Sequence, residues 1–181
     1  YPEVRKFYPI DDPLLCAQVD AKNDFITFSI AGPFFNWFVI SAYFPKAWKL
    51  RVEKEAYIYN LCSVVLSKLW LSRLVNGSRM GPFLFGKEPF LPDLQLFYTL
   101  ELSQMFSELF EIPEMHLFRD DPALQMFYDA MCERPAAREI LSAKGSELDI
   151  TKKELFGGFG AAYLDKHIDR KILDGIFGRE V

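Results

Sequence analysis

Apolar residues recur at spacings of three and four along most of this chain, and Pro, Gly and Asp-Pro pairs cut that periodicity into helical lengths. Asp11-Asp12-Pro13 reads as a helix start, because acidic side chains suit the positive end of a helix and Pro suits its first position. Leu14, Leu15, Ala17 and Val19 open that first helix. Residues 25–44 follow without a charged side chain other than none at all, and Gly32-Pro33 falls near the middle of the run. Twenty such residues could just span a bilayer. The interruption at Gly32-Pro33, together with Asn36 and several hydroxyl residues, instead predicts a long core helix bent at Pro33. Its aromatic residues Phe34, Phe35, Trp37, Phe38, Tyr43 and Phe44 would line the core and a partner surface.

A further long helix is predicted from about Arg51 to Val75, with Ile58, Leu61, Cys62, Val65 and Leu69 as its stripe. Asn76-Gly77 would end it in a left-handed turn. The chain then turns at Gly86. Another helix begins around Pro92-Asp93, with Leu94, Phe97, Tyr98, Leu102, Met105 and Leu109 predicted on its buried face. Asp120-Asp121-Pro122 repeats the earlier start signal, and Leu124, Phe127, Tyr128 and Met131 complete one more helical face. Arg134-Pro135 closes it, and Ala136, Ala137, Ile140 and Leu141 read as a short separate helix. Nothing before residue 141 reads as a strand, so the predicted class is all-α.

Residues 144–181 differ in kind. Thr151 and Glu154 have capping-box spacing, residues 157–160 form a Gly-rich connector, and Leu164, Ile168, Ile172 and Ile176 make a narrow apolar stripe. That stripe suits folding back on the bundle and docking on another chain equally well, so it joins Phe34, Phe35, Trp37 and Phe38 as candidate partner surface. The predicted organisation is a helical domain over 1–143 and an extension with an amphipathic helix over 144–181.

Composition narrows the functional classes. With 181 residues, half of them hydrophobic, the chain can close a core of its own. Eighteen Phe imply either a Phe-rich interior or aromatic surface meant for a partner. A net charge of -4 with no basic face disfavours nucleic-acid binding; Lys46, Lys49, Arg51 and Lys54 read as solvated positions. Cys16, Cys62 and Cys132 lack metal-ligand spacing and read as buried thiols of a reducing compartment. The two histidines, His116 and His167, have no nucleophile placed beside them by any local motif. The Asp pairs before Pro are explained by helix dipoles without an ion. No catalytic residue, cofactor site or metal site is therefore assigned. The chain begins at Tyr1 without an initiator Met, which reads as a cut end.

Three segments in order carry a family resemblance. Residues 8–20, with Tyr8-Pro9, Asp12-Pro13 and Ala17-Gln18-Val19-Asp20, resemble the start of the all-helical C-terminal domain of cytosolic glutathione transferases. Gly86, Pro89, Phe90, Pro92 and Asp93 resemble that family's Gly-x-x-Pro-Ser/Thr-x-Ala-Asp-Leu segment, and Asp120 to Leu141 resembles its segment ending in Arg-Pro-Ala. One departure is Phe90, which stands where the family has a capping Ser or Thr; such a loss costs about 1 kcal/mol, to be offset by packing around Phe90 or by a partner. The thioredoxin-like half, which holds glutathione in the family, has no counterpart in these residues. The resemblance thus implies a non-catalytic structural or interaction subunit among other protein subunits, in a mitochondrial or cytoplasmic setting. The alternative is the C-terminal half of a glutathione transferase enzyme separated from its glutathione-binding domain.

Overall fold

In a computed structural model of the protein, residues 4–36, 54–77, 81–110, 113–139 and 141 are described. Of this part 75% is helical and no strand occurs among the described residues, so the all-α class holds. The helices are α1 (Pro13–Phe25), α2 (Gly32–Asn36), α3 (Lys54–Asn76), α4 (Leu91–Phe110) and α5 (Pro122–Cys132), with 3-10 turns at Val4–Lys6 and Pro113–Met115. Residues 135–139 add a short helical turn after α5.

The two Asp-Pro starts form as the sequence predicts. Asp12 caps α1, its carboxylate accepting from the backbone N–H groups of Leu14 and Leu15 at 3.1 and 3.0 Å. Asp121 caps α5 in the same way through Ala123 and Leu124 at 3.0 and 3.1 Å. Both carboxylates are used by the backbone, as caps of otherwise orphaned donors.

Between α1 and α2 the structure departs from expectation. The first helix and the start of the 25–44 run, read separately in the sequence, are one uninterrupted helical path whose segment Ile26–Ala31 is a π-helix. Gly32 N–H donates to the Thr27 carbonyl, five residues back. The wide turn lies just before Pro33, which has no N–H to offer and whose ring would press on the carbonyl four residues earlier in an α register. Residues 37–44 lie outside the described residues.

The core gathers around α4. The π segment packs against both α3 and α4, while α1 and α5 each meet α4 from other directions. Ile26, Ile30, Leu71, Leu96, Leu100, Met115, Leu117 and Phe127 are its largest fully buried side chains. The α5 face is as predicted, with Leu124, Phe127 and Met131 buried and Tyr128 half-buried.

For α4 and α3 the predicted faces are corrected. In α4 Leu94 and Tyr98 are exposed, and the buried line runs through Asp93, Leu96, Phe97, Thr99, Leu100, Ser103, Phe106 and Ser107. The buried hydroxyls stand in for apolar groups by bonding within the helix: Thr99 Oγ1 donates to Gln95 O at 2.8 Å and Ser103 Oγ to Leu100 O at 2.7 Å. Ser103 Oγ also accepts from Leu117 N–H at 3.3 Å, fastening the chain that follows α4 onto the helix. In α3 Leu69 is exposed, and Val64, Ser67 and Leu71 face inward. Ser67 Oγ donates to Val64 O at 2.6 Å, the same device. Asn76 does end α3, yet Gly77 closes it through N–H to Arg73 O at 3.0 Å without the left-handed angle expected of it.

Among the described residues no helix is long and apolar enough to cross a membrane.

Candidate functional site

The segment singled out by its Gly and Pro pattern, residues 81–93, is the point at which the most distant parts of the chain are joined. Phe83 and Gly86 exchange backbone bonds, Phe83 N–H to Gly86 O at 3.1 Å and Gly86 N–H to Phe83 O at 3.3 Å, closing a tight turn. Gly86 has φ of 134°, a conformation suited to glycine. Gly81 lies against it so closely that a Cβ there would sit 2.2 Å from the Gly86 carbonyl oxygen. Pro89 and Pro92 are buried on either side of half-buried Phe90, whose ring meets that of Phe85 edge-on at 5.6 Å.

Asp93 organises this turn. Its side chain is fully buried in the first turn of α4. Oδ2 accepts from Phe90 N–H at 2.8 Å, which is the reciprocal half of a capping box. Phe90 has no side-chain oxygen to supply the other half, as its identity requires. The sequence reading left Asp93 only a role at its own helix end, and this is too narrow: Oδ1 accepts from Leu84 N–H at 2.8 Å, nine residues upstream. Lys22 of α1 completes the group, its Nζ donating to Leu84 O at 3.0 Å and lying 4.5 Å from the centre of the Phe85 ring. Both polar groups of one peptide-bonded residue, Leu84, are thereby held by side chains from two helices.

Burial pushes the Asp93 carboxyl up to about 6, against the opposing pull of the Leu84 and Phe90 N–H groups and of Lys22. Burial likewise lowers Lys22, and Asp93 partly restores it. From the far side Arg134 reaches the same turn: its guanidinium bonds Glu88 at 2.9 Å and lies 5.1 Å from the Phe83 ring. The preceding chain is tied in as well, through Leu91 N–H to Phe7 O at 2.9 Å. Gly86, Pro89, Phe90, Pro92 and Asp93 are thus brought together as one clasp.

Lys22, Leu84 and Arg134 are the members that sequence reasoning missed. A signal for Lys22 existed: Val19, Lys22, Ile26 and Ile30 follow one another at spacings of three and four, so a lysine stands on the stripe that enters the core. No local pattern marks Leu84, because only its backbone is used.

Other candidate residues do not join this group. Phe34 and Phe35 belong to α2 by their backbone, and Trp37, Phe38, Leu164, Ile168, Ile172 and Ile176 lie outside the described residues. The cysteines are half-buried thiols rather than buried ones, with Cys16 Sγ donating to Pro9 O at 3.0 Å. His116 is half-buried, and burial together with Arg119 lowers its pKa; its ring meets Phe118 edge-on at 4.3 Å. Its Nε2 is buried without a hydrogen-bond partner among the described residues. Tyr8 Oη donates to both carboxylate oxygens of Asp20 at 2.9 Å, which pushes the exposed phenol up to about 12. Tyr128 Oη bonds Glu101 between α5 and α4, and burial followed by this bond raises its pKa. Among the described residues no group of three or more His, Cys, Asp or Glu could hold a metal ion. These polar groups link helices to one another, and none pairs a nucleophile with a base.

Comparisons with protein-family models, with curated proteins and with solved structures give no match to this chain.

Proposed function

We propose that the chain is a non-catalytic structural or interaction subunit of a larger protein assembly, built on a helical domain like the C-terminal domain of glutathione transferases. One observation carries the reading: the buried charge of the clasp is spent on holding the chain together. Asp93 gives both carboxylate oxygens to backbone N–H groups, and Lys22 is engaged with the Leu84 carbonyl. A site poised for chemistry keeps an acid or base within reach of a substrate. Here the strongest candidate carboxylate is fully buried under its own fold.

The resemblance in residues 86–93 supports the domain type, since the clasp gives each of its Gly, Pro and Asp positions a physical task. An assembly role fits the large exposed apolar side chains on α3, among them Tyr59, Leu66 and Leu69. An organellar setting, mitochondrial in particular, goes with the cut-end reading of Tyr1.

The test is the native mass of the endogenous protein after mild-detergent extraction, followed on a native gel with identification of co-migrating chains. A discrete mass far above 21.0 kDa with fixed companions is expected. Saturable glutathione binding by the purified chain, with migration at its own mass in the extract, would instead favour a transferase half separated from its glutathione-binding domain.

A further inference from the structure

The outer side of α3 carries a second apolar line, separate from the one that enters the core. Tyr59 is 73% exposed, Leu66 54% and Leu69 62%, with exposed Arg73 at the end of the row. Tyr59, Leu66 and Arg73 are seven residues apart, and half-buried Cys62 and exposed Leu69 each stand three beyond the first two. This is the spacing of a two-helix seam, with 59, 66 and 73 in one heptad position and 62 and 69 in the other. Trp70 flanks it. Its ring is already steadied by Phe25 edge-on at 6.3 Å and by the Arg73 guanidinium at 5.4 Å, so the border of the seam is formed before anything docks.

We infer that this seam pairs with the same seam of a second copy of the chain, the two α3 helices running antiparallel about a two-fold axis between Leu66 and Leu69. The ordering of side chains favours that occupant and that direction. Antiparallel pairing sets Leu66 against Leu69 of the second copy, and the symmetry repeats the layer, giving two adjoining leucine layers at the centre. The next layer outward sets Cys62 beside Arg73 of the second copy, where the guanidinium also reaches the level of the Tyr59 ring, a cation against an aromatic face. A parallel pair would stack Arg73 on Arg73 and Tyr59 on Tyr59, opposing like charges. The charge on the seam is thus complementary to itself in one orientation only. From Tyr59 to Arg73 the seam runs about 21 Å, a contact length that suits reversible association.

The pairing goes beyond the assembly reading and does not depend on it, because it concerns the purified chain alone. Sedimentation velocity on the purified full chain across a wide concentration range is the experiment. The mass is expected to rise with concentration from 21.0 kDa toward twice that value. Leu66→Lys, at an exposed position, is expected to leave the melting temperature in place and weaken self-association at least about a hundredfold, since two symmetric leucine layers are lost. Mixing Leu66→Cys with Leu69→Cys chains should give more cross-linked dimer under a short bis-maleimide than either alone.

A monomer at every concentration would overturn the inference, as would a dimer that ignores Leu66→Lys. A monomer whose α3 amides become unprotected from exchange only when Ile168 and Ile172 are both replaced by Asp would overturn it in favour of the chain's own residues 164–176 as the cover. Each of these outcomes leaves the native-mass test of the extract to be decided separately.

Discussion

The clasp at residues 83–93 and the outer face of α3 handle exposure in opposite ways. In the clasp polar groups are withdrawn from water and each is met by a specific partner: Asp93 by two backbone N–H groups and Leu84 O by Lys22. On α3 apolar side chains are left facing out, with Tyr59, Leu66 and Leu69 each more than half exposed. The first arrangement fixes one fold, because a buried carboxylate tolerates no near miss in its partners. The second contributes little to that fold and leaves area for association. Stability and interaction are thus divided between two parts of the molecule, and substitutions should separate them.

The sharpest break comes from Asp93→Ala. It strands the Leu84 and Phe90 N–H groups away from water, each at about 1–3 kcal/mol, so a loss of about 2–6 kcal/mol is expected in chemical denaturation. A loss below 1 kcal/mol would mean the clasp is not what holds α4 to the turn. Leu71→Ala, on the inner side of α3, should cost about 2–5 kcal/mol through the cavity it leaves.

Acidity gives the next effect. The folded Asp93 carboxyl titrates near 6 and the unperturbed one near 3.8. The folded state therefore holds the proton more tightly, and the associated stability is fully present below the lower value. It is lost as pH rises through the upper one, by at most about 3 kcal/mol. Unfolding free energies of the native chain and of Asp93→Asn, measured from pH 4 to pH 7, should converge toward the higher pH for this reason; parallel curves would show that Asp93 stays charged throughout. Gly86→Ala follows at about 1–3 kcal/mol, because its backbone angle suits no other residue well. Smallest of all, Leu69→Ser should shift stability by less than about 0.5 kcal/mol, against the large effect of Leu71 two residues away, and the same melting series would show it.

What the sequence disclosed depended on how local the cause was. The Asp12 and Asp121 caps were legible because donor and acceptor lie within three residues of one another. The α5 face was legible because its polar side is polar. In α4 the chain is apolar around most of its circumference, so Leu94 and Tyr98 look as core-like as Leu96 and Leu100, and the buried Thr99 and Ser103 look like surface. Only their back-bonding to Gln95 and Leu100 reconciles those hydroxyls with burial. The same ambiguity hid the inner face of α3. In the candidate site, Gly86, Pro89, Pro92 and Asp93 announced a turn and a helix start. Their connection to Lys22 could not be read from the turn itself, because it exists only once α1 and α4 have docked.

The π segment before Pro33 has a meaning for how this chain can vary. A π turn is a helix carrying one residue more than its register needs. Substitutions there leave that surplus in place, whereas deletion of one residue between Thr27 and Ala31 would remove it and rotate Gly32–Asn36 by about 100° around the axis relative to α1. Ile26 at one end of the segment and Ile30 near the other are both fully buried, so the lost residue would also pull one of these two anchors out of its place. Length, more than residue identity, is the constrained property of this stretch, and related chains should preserve the count of residues between Asp12 and Pro33 even where the letters between them drift.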